Sequence, residues 1–470
     1  LRIEKGYYYP ANIGGQKGEL HMKYRLKKLM LIVICSFCLL LSGIMTHSVT
    51  AADAKFDVNK LSDMSDFDPN DFVNPTGDTI KIGIMQIFSG AGAGNGELFW
   101  AVNTWVAHDI NKRGGILVDG NKKKIELLKG DTKSSPVATK KEVEKLCLQD
   151  DVDLIWGTSG THLALVIQNT AQKYKKIFMN CLALSDQLMD APNFNRYTFR
   201  TIMNTSMHGL ASGYYMASRP ETKFYILCQD YSFGHAMAEG FKAGLKKYKP
   251  EAEIVGEEYH PLFMKDFAPY ITKIMGSGAD CVYTADWLPD AGNLLKQSRD
   301  LGMKLPFVNL FMDEPNGLAA VGPEGTKGLL HVNQFMSVMA TPDEQKFGMA
   351  WNNAWKSWKK PYNTLLYKWA GGTIGKTLAD TYWLLSVVER AGSTDAEKII
   401  PVWEGDEYEY QGALYTMRAC DHQAYFNCYA SEYIYPNLWF EELSGIGNMF
   451  IIPARYCMPP LPENLDRCKK

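Results

Sequence analysis

The stretch TIKIGIMQIFSGAGAGNGELFWAVNTWVAHDINKRGG occupies residues 79–115. Its first ten residues read as a strand that ends in the turn SGAGAGNG (Ser89–Gly96). Beyond the turn, Leu98, Ala101, Val102, Trp105, Val106 and Ile110 recur at helical spacing, and Gly114-Gly115 stop the helix. A strand, a small-residue turn and a covering helix make one βα unit.

The unit repeats. KKIELL predicts a strand, PVATKKEVEKLCLQ a helix, VDLIWG a strand, HLALVIQNTAQKY a helix and KIFMN a strand. A second run follows. KFYILC, AEIVGEEY, DCVYTA and PFVNLF are strands. GHAMAEGFKAGLKKY, DFAPYITKIMGSG and PDAGNLLKQSRDLG are the helices between them. Two such runs predict an α/β chain with two doubly wound parallel sheets. Ligands of such sheets bind outside the carboxyl ends of the strands, so the residues just after each strand are the candidates. GTSGTH (157–162) is one such place. Thr161 starts a helix there, where free N–H groups and the helix dipole favour an anion. The simpler reading is that Thr161 only caps its helix.

Past Gly328 the rhythm loosens. EQKFGMAWNNAWKSWKKPY sets Trp351, Trp355 and Trp358 on one helical face, read as a packing face. GGTIGKTLADTYWLLSVVERAG is a further helix, and GALYTMRACDHQAYFNCYASEY reads as two strands around DHQ. Asp421-His422-Gln423 is read as a turn or hinge strand, because no nucleophile motif accompanies it.

The ends read differently. Residues 1–21 precede Met22 and are read as an upstream extension from a mis-assigned start. Met22 opens a basic n-region, Leu29–Met45 is an apolar h-region, and SVTAADA (48–54) supplies small-residue cleavage sites. Residues 22–52 therefore read as a secretory signal peptide; an uncleaved anchor is the other reading. Ile44 stands where a lipoprotein would need Cys, so lipidation is not expected. Residues 53–78 are an acidic extended leader. The chain has 470 residues and a formal net charge of -2; without residues 1–52 it holds 43 basic and 50 acidic residues, a net of -7. That balance argues against nucleic acid or anionic membrane as the main partner.

GxSxG, HExxH and GxxxxGK[ST] are absent from the sequence. SGAGAGNG superficially resembles GxGxxG, but its glycines alternate and no acidic residue ends the next strand in place. No catalytic residues, cofactor or metal site are expected. Cys457 with Cys468, flanking a Pro-rich tail loop, is one disulfide candidate; Cys420 with Cys428, flanking a hairpin bend, is another. Cys147, Cys181, Cys228 and Cys281 read as buried thiols.

IKIGIMQIFSG, DINKRGGI, QDYSFG, FMKDFAPYITKI, LLKQSRDLG, GPEGTKGLL and MRACDHQ fall in an order and spacing that resemble the periplasmic substrate-binding proteins of branched-chain-amino-acid-type ABC transporters. The resemblance covers about residues 80–440. It implies the type I periplasmic binding fold: two Rossmann-like lobes joined by a three-strand hinge. Lobe 1 would hold 79–201 and 331–408, lobe 2 would hold 202–330 and 409–450, and 451–470 would form a tail. It implies a periplasmic, non-enzymatic receptor that delivers a small molecule to an inner-membrane permease. A sensor subunit feeding a membrane signalling partner is the alternative on the same fold.

The resemblance also implies a site. Thr161 takes the place of the hydroxyl that holds a ligand carboxylate, with Ser159 and His162 beside it and Ser89 on the first turn. Leu182 and Leu184 stand where a backbone-exposing Ala and a Thr would sit. On the second lobe Phe233 replaces a Tyr, with Tyr231 two residues before it, and Trp287 is the aromatic after CVYTA. Phe311 replaces the acidic residue that would pair an ammonium; Asp286 or Asp313 would substitute on a shifted register. A buried ammonium without a carboxylate is costly. The expected ligand is therefore an aromatic or branched apolar carboxylate, with a branched-chain amino acid as the alternative.

Overall fold

The computed structural model describes residues 61–287, 289–313, 315–335, 351, 353–354, 372–410, 412–435, 445–447 and 449–469. The upstream extension, the signal peptide, the start of the leader, Trp355 and Trp358 lie outside the described residues.

The first sheet has the order β2–β3–β1–β4–β5–β6. Its strands are β1 (Thr79–Gln86), β2 (Ile116–Val118), β3 (Asn121–Asp131), β4 (Leu154–Gly157), β5 (Ile177–Asn180) and β6 (Thr198–Arg200). All neighbours run parallel except β2, which joins β3 through a two-residue turn with Asp119 and Gly120 at positive φ. Helices α1 (Ala93–Lys112), α2 (Pro136–Leu148) and α3 (Thr161–Tyr174) connect the strands. Covered on both faces, the strands are near-continuous apolar runs: Leu154–Gly157 and Ile177–Asn180 are buried throughout.

The second sheet has the order β16–β15–β11–β10–β9–β7–β8, with β17 also on β15. Its parallel strands are β7 (Lys223–Gln229), β8 (Glu253–His260), β9 (Cys281–Tyr283), β10 (Phe307–Asn309) and β11 (Leu329–Asn333). The connecting helices are α4 (Thr205–Met216), α5 (Ser232–Tyr248), α6 (Ala268–Gly276), α7 (Asp290–Asp300) and α8 (Pro315–Gly325). Helices α4 and α5 touch backbone to backbone through glycines. A Cβ on Gly209 would lie 2.0 Å from Gly240 C, and one on Gly244 1.9 Å from Gly209 O.

Helix α9 (Gly372–Ala391) returns to the first lobe, packing on α1 and β2; α10 (Ala396–Trp403) follows. A small antiparallel sheet, β12 (Glu407–Tyr410), β13 (Ala413–Met417) and β14 (Ala424–Tyr425), precedes β15 (Cys428–Ile434), β16 (Gly445–Ile446), β17 (Phe450–Ile452) and α11 (Ala454–Cys457).

The crossings between lobes are hydrogen-bonded to one another. Gln334 accepts from Met203 N–H at 2.6 Å and donates to Thr201 O at 3.0 Å. Gln423 donates to Ile202 O at 2.9 Å, and Arg200 N–H donates to His422 O at 2.8 Å. Phe199 stacks on His422 at 3.9 Å and on Trp403 at 4.4 Å. The DHQ turn thus sits among the segments that cross between the lobes.

Two features correct or extend the sequence reading. Residues 61–78 form no helix or strand, yet they are fastened to α1 and β3. Ser62 N–H donates to Asp109 at 2.8 Å, Phe67 packs edge-on against Trp105 at 5.2 Å, and Asn74 exchanges two 2.8 Å bonds with the Leu127 backbone. The disulfide joins Cys420 to Cys468, with a Cα–Cα distance of 5.0 Å, so neither the Cys457–Cys468 nor the Cys420–Cys428 pairing holds. Cys457 is buried in α11 over β17, and the Pro-rich chain after it carries Cys468 away to the hinge side. Strand β14 likewise separates Cys420 from Cys428.

Candidate functional site

Each sheet has a switch point where connections leave in opposite directions, the place where ligands of such sheets bind. In the first sheet it lies at the carboxyl ends of β3, β1 and β4. Gln86 closes β1 with its side chain fully buried, and its Oε1 accepts from Ser159 N–H at 3.3 Å. That bond fixes the amide orientation and leaves Nε2 as a donor. Gln86 Nε2, Thr132 Oγ1, Thr158 Oγ1 and Thr161 Oγ1 have no hydrogen-bond partner among the described residues, and each residue is at most 1% exposed. A buried polar group left unpaired costs about 1–3 kcal/mol, and native chains keep few of them. Here four stand at the carboxyl ends of three adjacent strands, β3, β1 and β4.

Thr161 is the first residue of α3, and Gly160 holds the cap position with φ 95°. The Thr161 hydroxyl therefore does no capping. Helix α3 begins at the same switch point, so the arrangement suits an anion. His162, half-buried beside it, is held below its usual pKa by burial.

The expected backbone grip after β5 is already spent. Asn180 Oδ1 accepts from Ala183 N–H at 2.9 Å and from Leu182 N–H at 3.4 Å. Leu182 and Leu184 are buried in the core. Buried Lys376 pairs with Asp380 at 2.6 Å and also bonds Cys181 O, which pins this turn from behind. Ser89 is exposed on the first turn.

The second lobe presents rings. Tyr231 meets His162 edge-on at 6.0 Å across the lobes and lies 5.7 Å from Phe233, which lies 6.5 Å from Phe311. Trp287 donates from Nε1 to the Tyr231 hydroxyl at 2.9 Å and packs edge-on against Phe263 at 5.8 Å. Phe263 in turn reaches the first lobe: a Cβ on Gly92 would lie 3.5 Å from its ring. The predicted rings therefore form one connected wall, with Phe263 as a member the sequence did not indicate.

Acids lie behind that wall. Asp286 is buried and accepts from His260 Nε2 at 2.8 Å. His260 loses basicity to burial but regains more from Asp286, for a net rise in pKa, while burial raises Asp286. Asp290 accepts from Gln229 Nε2 at 2.7 Å and from Phe263 N–H at 2.9 Å; burial raises its carboxyl to about 6. Gln229 Oε1 and Asp290 Oδ1 have no hydrogen-bond partner among the described residues. Asp313 faces His331 at 3.7 Å, but burial holds that imidazole at about 3, so the pair is not ionic near neutrality. Among the described residues no cluster of three or more His, Cys, Asp or Glu side chains is placed to hold a metal.

A sequence profile described as periplasmic binding protein matches residues 79–434. The chain belongs to the periplasmic binding protein family. This binding protein is 25% identical over 357 residues to the Leu/Ile/Val-binding protein homolog 4 of Brucella melitensis biotype 1, covering 74% of this chain and 82% of the relative. Among solved structures it is similar to a solute binding protein of an ABC transporter from Rhodopseudomonas palustris BisB5, in complex with 3,4-dihydroxybenzoic acid. The TM-score is 0.69 at 20% identity, covering 80% of this chain and 98% of that one. It is equally similar to the closed leucine-, isoleucine-, valine-, threonine- and alanine-binding protein of Brucella ovis, at TM-score 0.69 and 21% identity over 83% of this chain and 98% of that one. The binding protein has the two-lobed type I fold.

Proposed function

We propose that this chain is the periplasmic receptor of an ABC importer, exported by residues 22–52. It captures a small carboxylate between its lobes and presents it to an inner-membrane permease. One observation carries the reading: unpaired donors at Gln86, Thr158 and Thr161 stand in one lobe, and the ring wall of Tyr231, Phe233, Phe311 and Trp287 stands in the other. The carboxylate takes the donors, and an aromatic or branched apolar body lies on the rings. Phe311 offers no charge to an amine. The dihydroxybenzoate-bound neighbour supports this ligand class.

A second reading rests on Gln229 Oε1 and Asp290 Oδ1. These unpaired acceptors would suit the ammonium of an α-amino acid, and the Brucella neighbour that binds leucine, isoleucine and valine is consistent with it. Titration with leucine, valine, benzoate, 4-hydroxybenzoate and phenylacetate, followed by melting temperature and tryptophan fluorescence, separates the two. A ligand at a hundred times its Kd stabilises by about 2.7 kcal/mol. The first reading expects aromatic acids to raise the melting temperature and leucine to leave it unchanged. A response to leucine alone overturns it in favour of the second. Silence toward every acid overturns both.

A further inference from the structure

Four cysteines lie between residue 420 and the end of the chain, and the structure joins two of them, Cys420 and Cys468. The other two, Cys428 and Cys457, are held as thiols and have no solvent exposure. Cys428 begins β15 and pairs with Ile452 of β17. Pro453 then turns the chain into α11, whose single turn brings Cys457 back over the same pair. Cys457 Sγ lies 4.0 Å from Ile452 O and 3.9 Å from Phe426 O. Asn427 Oδ1 accepts from Ala454 N–H at 2.9 Å, which seats α11 against the start of β15. Cys457 Sγ thus reaches both the backbone of Phe426, two residues before Cys428, and that of Ile452, the residue paired with Cys428. Cys228 and Cys281 show the contrast: Cys281 pairs with Phe224, four residues along β7 from Cys228.

We propose that Cys428 and Cys457 form a second disulfide in the exported protein, nested inside Cys420–Cys468. Disulfides persist in the periplasm. One thiolate attacks a disulfide oxidant of the oxidised-glutathione class, giving a mixed disulfide. The second sulfur then displaces it. The Cys428–Cys457 S–S bond forms, the oxidant's S–S bond breaks, and the oxidant leaves as two thiols carrying both protons. Burial places the step during folding, before α11 closes over β15. The segment from Met458 to Arg467 is then stapled at both ends, to the second sheet and to the hinge side.

The test uses the full chain exported and purified without reductant, unfolded in guanidinium, alkylated with iodoacetamide and digested for mass spectrometry. The expected result is two linked peptide pairs, Cys428 with Cys457 and Cys420 with Cys468, and alkylation of Cys147, Cys181, Cys228 and Cys281. Alkylated Cys428 and Cys457 in the unreduced sample, or either one linked elsewhere, overturns the proposal. Cys428→Ser and Cys457→Ser should each lower the melting temperature of unreduced protein, and the double variant no further. Losses that add across the two sites also overturn it.

Discussion

Thr161 carries a buried hydroxyl that bonds to nothing among the described residues. Removing it should cost the empty protein almost nothing, because no bond is lost and a desolvated polar group disappears. Thr161→Val is therefore expected to keep or slightly raise the melting temperature while weakening ligand binding about 10- to 100-fold, about 1.5–3 kcal/mol. Calorimetric titration beside thermal melts checks both halves; unchanged affinity would remove Thr161 from the site. Asp290 gives a pH signature. Its carboxyl titrates near 6 in the fold against 3.8 as a free side chain. Between about pH 4 and pH 6 the folded chain keeps a proton the unfolded chain has lost, so stability falls as pH rises through that window. Urea melts should show Asp290→Asn removing a decline of up to about 3 kcal/mol. Thr161 and Tyr231 were legible because they follow strands. Gln86 and Gln229 were not: the last residue of a strand reads as strand, and only the assembled sheet places it at the switch point. Phe263 and Asp290 join the candidate site through tertiary contacts that no local pattern encodes.

At the scale of elements, α4 and α5 carry glycines four residues apart, at Gly209 and Gly213 and at Gly240 and Gly244. Their backbones approach so closely that a methyl group has no space. Gly244→Ala should lower stability by about 3 kcal/mol, read by denaturant melts, although alanine is the better helix former. A neutral result would mean the helices can part. The Cys420–Cys468 bridge closes a separation of 48 residues. Its loss in Cys468→Ser should cost up to about 4 kcal/mol, and reductant should cost the parent chain at least as much, because it also opens the proposed Cys428–Cys457 bridge. Helical and strand periods made most elements readable. Strand β6 has three residues and sits next to hinge segments, too short for periodicity to register. Cysteine pairing was misread because it depends on where α11 and the tail lie, which loop length alone does not determine.

For the whole molecule, two repeated βα runs were enough to indicate two parallel sheets, and strand order gives each a switch point. DHQ was legible as a turn or hinge strand, but without its partners. Its bonds to Arg200 and Ile202, and those of Gln334 to Thr201 and Met203, depend on three distant segments meeting. Hinge closure about such a joint is the standard route to closing on a ligand, and the proposed receptor is expected to use it. The most direct measurement is a crystal structure with the tightest-binding acid from the titration. Its carboxylate is expected within about 3.2 Å of Thr161 Oγ1 and Gln86 Nε2, with its body against Tyr231, Phe233 and Trp287. A carboxylate held by the second lobe, or a ligand away from both switch points, would contradict the proposed binding mode.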